Sequence, residues 1–69
     1  MWTVQAIGET AGQVWEFLNQ HGTCSLNAVK LGVKAPKSLV DMAIGWLARE
    51  GKIDLSQEKR SIQVSLRKM

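Results

Sequence analysis

Very few side chains in this 69-residue sequence belong to the types that carry out catalysis or hold metal ions. There is one histidine, His21, and one cysteine, Cys24, together with six carboxylates scattered along the chain. A zinc site needs more ligands than these two, so we expect His21 to be a cation near a helix end and Cys24 a small buried hydrophobe. No nucleophile–histidine–acid set, paired carboxylates or glycine-rich phosphate loop is present. The sequence therefore predicts no enzyme activity, no metal and no cofactor.

The basic residues are the remaining candidates for chemistry, and their distribution is uneven. The formal net charge is +3, yet residues 1–29 contain two carboxylates and no Lys or Arg. All nine basic residues lie within residues 30–69, against four carboxylates, which gives that part of the chain a net charge of +5. A basic half indicates an anionic partner such as nucleic acid. A solvated surface explains a net charge of this size equally well.

Length and composition predict one small globular domain. A chain of this length buries only about 60% of its unfolded surface, and its 45% hydrophobic content can supply a core. No apolar run is long enough for a transmembrane helix, and the N-terminus does not have the pattern of a signal peptide. A single cysteine cannot form an internal disulfide, which fits a reducing compartment. We therefore expect a cytoplasmic protein.

The first third of the chain predicts one helix after a short leading segment. Residues 1–8 alternate loosely between apolar and polar, which predicts an N-terminal arm or a short strand ahead of a domain over residues 9–69. Thr10 and Gln13 form a capping-box pattern, and apolar residues follow at helical spacing. The first helix is therefore expected over residues 10–21.

Two further helices are expected before the period changes. Ser25 can cap a short second helix over residues 25–32. Pro36 is the type of residue that starts a helix, and Gly51 the type that follows one, so a third helix is expected over residues 36–50.

From residue 52 onward the apolar residues alternate with a period of two. Such alternation on both sides of the polar segment 57–60 predicts an antiparallel hairpin with one face on the core. The segment contains no Asn-Gly or Asp-Gly, so a tight two-residue turn is not indicated. The inward-facing residues would be Ile53, Leu55, Ile62, Val64 and Leu66.

Three helices followed by a hairpin is the order of elements in a winged helix-turn-helix domain. Ala28 and Gly32 have the spacing found where the two helices of such a motif meet, and residues 47–53 resemble the end of a recognition helix and the first wing strand. The segments IGETAG at residues 7–12 and AIGWLARE at residues 43–50 resemble a family of small stand-alone prokaryotic winged helix-turn-helix proteins of uncharacterised function. The resemblance implies an α+β fold, mostly α, with three helices and a C-terminal antiparallel β-hairpin wing.

By analogy, the resemblance implies that the third helix enters the DNA major groove and that the wing touches the phosphate backbone. The candidate contacts are Lys34, Lys37, Ser38 and Arg49 around the third helix, and Lys59 and Arg60 on the wing. Only Arg49 is suited to read guanine, and the helix has no Asn or Gln to read adenine. The expected function is therefore transcription-associated binding of double-stranded DNA, mainly through phosphates and with weak sequence discrimination.

A second apolar stripe on the third helix favours a different interpretation. One face, expected to point to the core, contains Leu39, Met42 or Ala43, Trp46 and Leu47. On another face Val40, Ile44 and Ala48 repeat every four residues, and Gly45 would let a second helix approach closely. These four residues predict a homodimer interface, or an adaptor that binds another protein. Alternatively, Val40 and Ile44 pack beneath the hairpin or the N-terminal arm.

The aromatic residues add little to either interpretation. Trp15 and Trp46 are expected in the core, or at least one of them partly exposed with its N–H hydrogen-bonded, and Trp2 is expected to cover an edge of the domain or of a partner. The sequence has no tyrosine and a single phenylalanine, Phe17, which argues against a base-stacking platform for RNA.

Overall fold

The computed structural model describes residues 3–67, which form three helices and a three-stranded antiparallel sheet. The predicted fold class, α+β and mostly α with a C-terminal hairpin, is confirmed. The sheet has the order β1-β3-β2, so the hairpin gains a short third strand on the β3 side. The elements are α1 (Val4–His21), β1 (Cys24–Ser25), α2 (Leu26–Gly32), α3 (Lys37–Arg49), β2 (Ile53–Glu58) and β3 (Ser61–Leu66).

The core lies between the three helices and the inner face of the sheet. Val14 and Leu18 of α1 and Val29 of α2 are at most 1% exposed. Ile53 of β2 and Val64 of β3 are buried against them. Burial of each such side chain contributes about 1.5–3 kcal/mol. This shared core therefore fixes α2 and α3 relative to each other and to the wing, the hairpin formed by β2 and β3.

α1 begins earlier than the sequence pattern indicated. Its N-cap is Thr3, whose Oγ1 accepts a hydrogen bond from the Ala6 backbone N–H at 3.0 Å. The prediction of an arm or strand is therefore wrong for residues 4–8, which form the first turns of the helix. The predicted cap, Thr10, lies inside α1 and is only 3% exposed. The expected position of Trp2 falls outside the described residues.

The ends of α1 and α2 follow the sequence signals. α1 ends at Gly22, which has φ 77° and donates its N–H to the Leu18 carbonyl at 2.8 Å. The Ser25 hydroxyl accepts from the Ala28 N–H at 3.1 Å and caps α2 as predicted. Cys24 pairs with Val64 in the short strand β1.

Ala28 and Gly32 do not form the close contact between α2 and α3 that their spacing predicted. Ala28 is exposed, and the neighbouring Val29 is the residue that enters the core. A Cβ at residue 32 would lie 2.6 Å from Cζ of Phe17, so the Phe17 ring would have to move to accept a side chain there. Gly32 does not have a positive φ, so the turn between α2 and α3 does not depend on the conformational freedom of glycine, contrary to what the helix-turn-helix spacing had indicated.

The buried face of α3 is rotated relative to the expected one. Val40 and Ile44 are 0% and 4% exposed and belong to the core, while Met42 and Trp46 are 48% and 42% exposed. The predicted dimer interface is therefore wrong for Val40 and Ile44, which are covered by their own chain. Leu39, Ala43 and Leu47 are buried as expected, Ala48 is partly buried, and Gly45 is exposed.

The helix-to-wing connection is a Schellman motif. Gly51, with φ 72°, donates its N–H to the Ala48 carbonyl at 3.1 Å, and Lys52 donates to the Leu47 carbonyl at 3.0 Å. The predicted stop of α3 at Gly51 is confirmed by this geometry. The chain then enters β2 directly, so the end of α3 and the start of the wing form one rigid corner.

The hairpin turn is tighter than the sequence indicated. Glu58 pairs with Ser61, which leaves only Lys59 and Arg60 at the tip of the wing. Lys59 takes φ 54°, a left-handed conformation that costs roughly 1–2 kcal/mol for a residue with a Cβ. The register places Leu55 and Ile62 on the inner face near the wing tip, where they remain 49% and 37% exposed.

Candidate nucleic-acid interface

The corner between α2 and α3 is held by short-range backbone bonds and one buried side chain. Val33 is 6% exposed and donates its N–H to the Val29 carbonyl at 3.0 Å. The Ala35 N–H donates in turn to the Val33 carbonyl at 2.9 Å. Pro36 is the N-cap of α3, whereas the sequence predicted it as the first residue of the helix. This tight corner presents the start of α3 at the surface.

One line of α3 residues faces outward along the whole helix. Ser38, Met42, Gly45 and Arg49 are exposed and follow one another at helical spacing. The outer line, as we call these residues, runs between the side of α3 that meets α2 and the side that meets α1. Sequence reasoning missed Met42 on this line and assigned Gly45 to a dimer contact instead.

An ion pair marks the boundary of the outer line on the α2 side. The Lys30 ammonium lies 3.2 Å from the Asp41 carboxylate, with 23% and 50% of the two side chains exposed. The pair contributes about 1 kcal/mol or less to stability, because both groups remain partly solvated. Its larger effect is electrostatic, since Lys30 compensates the only carboxylate on α3.

The predicted contacts around α3 lie at its two ends. Lys34 and Lys37 are exposed at the α2–α3 corner, next to Ser38 in the first turn. Arg49 lies in the last turn, roughly 18 Å away along the helix axis by the usual rise per residue. Pro36 supplies no side-chain cap, so it places no polar side chain of its own over the start of α3.

The remaining predicted contacts, Lys59 and Arg60, are brought together at the wing tip. Both are exposed, and neither forms an ion pair within residues 3–67. The turn is supported by a hydrogen bond from the Ser61 hydroxyl to the Glu58 carbonyl at 3.3 Å. The structure therefore forms three cationic points, at the start of α3, at its end and at the wing tip.

Sequence reasoning missed a fourth cationic point formed by Lys52 and Arg67. The Arg67 backbone N–H donates to the Lys52 carbonyl at 3.0 Å, which places the two residues side by side at the base of the wing. The alternating pattern of the two strands could have indicated this point. If Ile53 is paired with Leu66, the next residues outward, Lys52 and Arg67, become neighbours.

The other residues singled out in the sequence have structural roles. The His21 ring stacks on Phe17 with centroids 4.4 Å apart, and the Cys24 thiol donates to the Gly22 carbonyl at 3.3 Å. Cys24 is half-buried, and Trp15 is 37% exposed rather than in the core. Within residues 3–67, no cluster of His, Cys, Asp and Glu could hold a metal ion.

The helices within the described part of the chain lack the combination of length and hydropathy needed to cross a membrane.

Comparisons with known proteins agree with this architecture. A sequence model of the family described as "Winged helix-turn-helix domain (DUF2582)" matches residues 1–66. An uncharacterised protein of Methanocaldococcus jannaschii is 36% identical over an alignment of 64 positions, which covers 88% of this chain and 90% of that protein. A protein of Bacteroides thetaiotaomicron, solved by solution NMR, is similar with a TM-score of 0.80 and 29% identity, over 90% of this chain and 76% of that one.

These matches confirm the resemblance that the sequence showed to an uncharacterised winged helix-turn-helix family. The match covers α1, α2, α3 and the wing together. The chain belongs to the DUF2582 family of winged helix-turn-helix domains.

Proposed function

We propose that this chain binds double-stranded DNA, with α3 in the major groove and the wing on the phosphate backbone. The observation that carries the proposal is the exposed outer line of α3. Ser38, Met42, Gly45 and Arg49 are exposed along the length of α3, while Leu39, Val40, Ala43, Ile44 and Leu47 of the same helix pack into the core. A helix held this way on a rigid body can enter a groove without rearrangement of the fold.

The charges around the outer line support a phosphate-binding surface. Lys34 and Lys37 lie at one end of α3, Arg49 at the other, and Lys59 and Arg60 at the wing tip. If all five of these cations contact phosphates, a plot of the logarithm of the binding constant against the logarithm of salt concentration has a slope no steeper than about −4.5. The positive end of the α3 dipole, at Pro36 and Lys37, favours a phosphate further.

The outer line offers little for reading bases. Arg49 is its only side chain that can bind guanine in a bidentate manner, and Met42 and Gly45 can make only apolar contacts. Asp41 is held by Lys30 and lies beside the line. We therefore infer weak sequence discrimination and a transcription-associated role in the cytoplasm.

A homodimer formed through α3 is not part of the proposal. Val40 and Ile44, which gave the dimer its apolar seam, lie in the core of a single chain. The adaptor alternative rested on the same residues and loses its support with them.

Fluorescence anisotropy of a labelled mixed-sequence duplex, measured over a range of salt concentrations, tests the proposal. We expect Lys37→Ala and Lys59→Gly each to weaken binding uniformly across sequences and to reduce the salt slope by about one unit. Lys52→Ala, which removes a cation on the α1 side of the molecule, is the matched control and should leave the slope unchanged. Equal losses in all three variants would reduce the effect to net charge and contradict the proposed surface.

A further inference from the structure

A groove outside the proposed DNA surface runs between α1 and the corner where α3 meets β2. Its volume is about 570 Å³, within the range of roughly 300–1,000 Å³ that is usual for small-molecule sites. α1 forms one wall, and the end of α3 with the base of the wing forms the other. None of the residues proposed to contact DNA lines it.

Two glycines create the floor of this groove. Gly8 and Gly12 are one helical turn apart on α1, and a Cβ added at either would meet no atom within 4 Å. Neither has a positive φ, so backbone conformation does not require glycine there. Each glycine in a helix costs roughly 0.5–1 kcal/mol relative to alanine. Glycine at these two positions therefore lowers the stability of α1 but leaves the space of the groove unfilled.

Two tryptophans line the groove and leave much of their surface in solvent. Trp15 of α1 is 37% exposed, and Trp46 of α3 is 42% exposed. Their indole rings offer large apolar surfaces and π-faces that prefer to stack on a planar ring. This arrangement favours an aromatic occupant over a flexible aliphatic one.

The rim opposite α1 has two cations. Lys52 is fixed by the Schellman motif, and Arg67 is tied to it by the backbone bond of 3.0 Å. Within residues 3–67 the Lys52 ammonium forms no ion pair, and the Arg67 Nε has only a long contact to Asp54 at 3.9 Å.

The groove has one carboxylate of its own, Glu16 on α1. Within the described residues Glu16 forms no ion pair with Lys52 or Arg67. Two cations against one carboxylate leave the lining with a net positive charge. An anionic group is therefore the complement of the side of the groove that has Lys52 and Arg67.

We propose that this groove binds a free small aromatic carboxylate. The aromatic ring lies against Trp15 and Trp46 above the glycine floor, and the carboxylate lies between Lys52 and Arg67. The guanidinium of Arg67 is suited to a carboxylate because it can donate two parallel hydrogen bonds. This site is separate from the proposed DNA surface, and the inference does not depend on DNA binding.

NMR titration of the labelled protein without DNA tests the proposal, with indole-3-carboxylate as the probe and uncharged indole-3-carboxamide as its matched control. We expect saturable shifts at Gly8, Gly12, Trp15, Trp46 and Lys52 with the carboxylate. The carboxamide should bind at least about tenfold more weakly, which corresponds to about 1.4 kcal/mol. No saturable shift with millimolar carboxylate, or equal affinity for both probes, would overturn the proposal.

Two variants, with a third as control, distinguish the contribution of the glycine floor to binding from that of the cations at the rim. Gly8→Leu fills the groove with a better helix former, so the protein should stay folded while carboxylate binding falls at least about tenfold. Asn19→Leu adds the same side chain on an exposed part of α1 outside the groove and should leave binding unchanged. Lys52→Met should weaken the carboxylate severalfold and leave the carboxamide unaffected. Unchanged carboxylate affinity in a folded Gly8→Leu variant would place the probe elsewhere and refute the site.

Discussion

The Phe17 ring of α1 lies directly against the backbone of Gly32 at the end of α2, so closely that a Cβ on residue 32 would meet Cζ at 2.6 Å. This contact seats α2 on α1 immediately before the corner that leads to α3. The close approach of α2 to α1 at this point therefore depends on the absence of a side chain at residue 32.

Gly32→Ala should destabilise the protein by about 1–3 kcal/mol, because the Phe17 ring must move away from the new methyl group. In a Phe17→Ala background the same substitution should stabilise it by about 0.5–1 kcal/mol, because alanine is then only a better helix former. Urea denaturation of the four proteins measures both effects. The same sign in both backgrounds would show that the ring does not restrict residue 32.

Ile44→Asp should unfold the domain rather than separate a dimer. Ile44 is 4% exposed, and an uncompensated carboxylate there costs several kcal/mol. A chain of this length has a total stability of roughly 3–10 kcal/mol. Met42→Asp is the matched control, since Met42 is 48% exposed on the same helix and should tolerate the charge. Circular dichroism and thermal denaturation distinguish the two; a folded Ile44→Asp protein would contradict the core assignment.

Lys59→Gly and Lys59→Glu should separate the shape of the wing tip from its charge. Glycine relieves the left-handed conformation and should stabilise the fold by about 1 kcal/mol, whereas glutamate retains the strain. Both variants should weaken DNA binding, and glutamate more strongly because it repels phosphate. The measurements are thermal denaturation and anisotropy on the same samples. If Lys59→Gly bound DNA as tightly as the unmodified protein, the wing-tip contact would be ruled out.

Arg49→Ala should reduce the small sequence preference that the protein has. Arg49 is the only outer-line residue suited to read guanine, so its loss should cost about 1–3 kcal/mol on a preferred site and less on other sequences. Lys37→Ala should instead weaken all sequences alike. Competition binding with duplexes that differ at single guanines measures the difference. A uniform loss for Arg49→Ala would assign Arg49 to phosphate contact alone.

Local signals in the sequence predicted the start of α2 and the ends of α1 and α3. Ser25 caps α2, and Gly22 and Gly51 end α1 and α3 with the positive φ values that favour glycine. These features depend on a few neighbouring atoms, so residue type determines them. The alternation after residue 52 likewise predicted the hairpin, because one of its faces packs on the core.

The buried face of α3 could not be predicted in the same way. Val40, Met42, Ile44 and Trp46 are all apolar, and helical periodicity alone does not say which of them meets α1 and the sheet. The structure places Val40 and Ile44 in the same core cluster as Val14 and Val64, and leaves the larger Trp46 42% exposed. That choice depends on the shape of the partner elements.

The candidate contacts were predicted only as a set of cations. Their grouping at the start of α3, at its end and at the wing tip follows from the fold. The pairing of Lys52 with Arg67 was missed because these residues lie far apart in the sequence and meet only at the open end of the hairpin. The start of α1 was missed because residues 1–8 alternate loosely and Thr10 with Gln13 mimics a capping box, whereas the actual N-cap is Thr3.

An amide chemical-shift map of the labelled protein at low salt, with and without a mixed-sequence duplex, shows directly whether α3 and the wing bind DNA. We expect shifts concentrated at residues 34–38, at Met42, Gly45 and Arg49 along α3, and at residues 59–60, all diminishing as salt rises. Gly8 and Gly12 should not shift, since they face the separate groove. An absence of shifts at low salt, or shifts confined to α1, would contradict the proposal that α3 and the wing bind DNA.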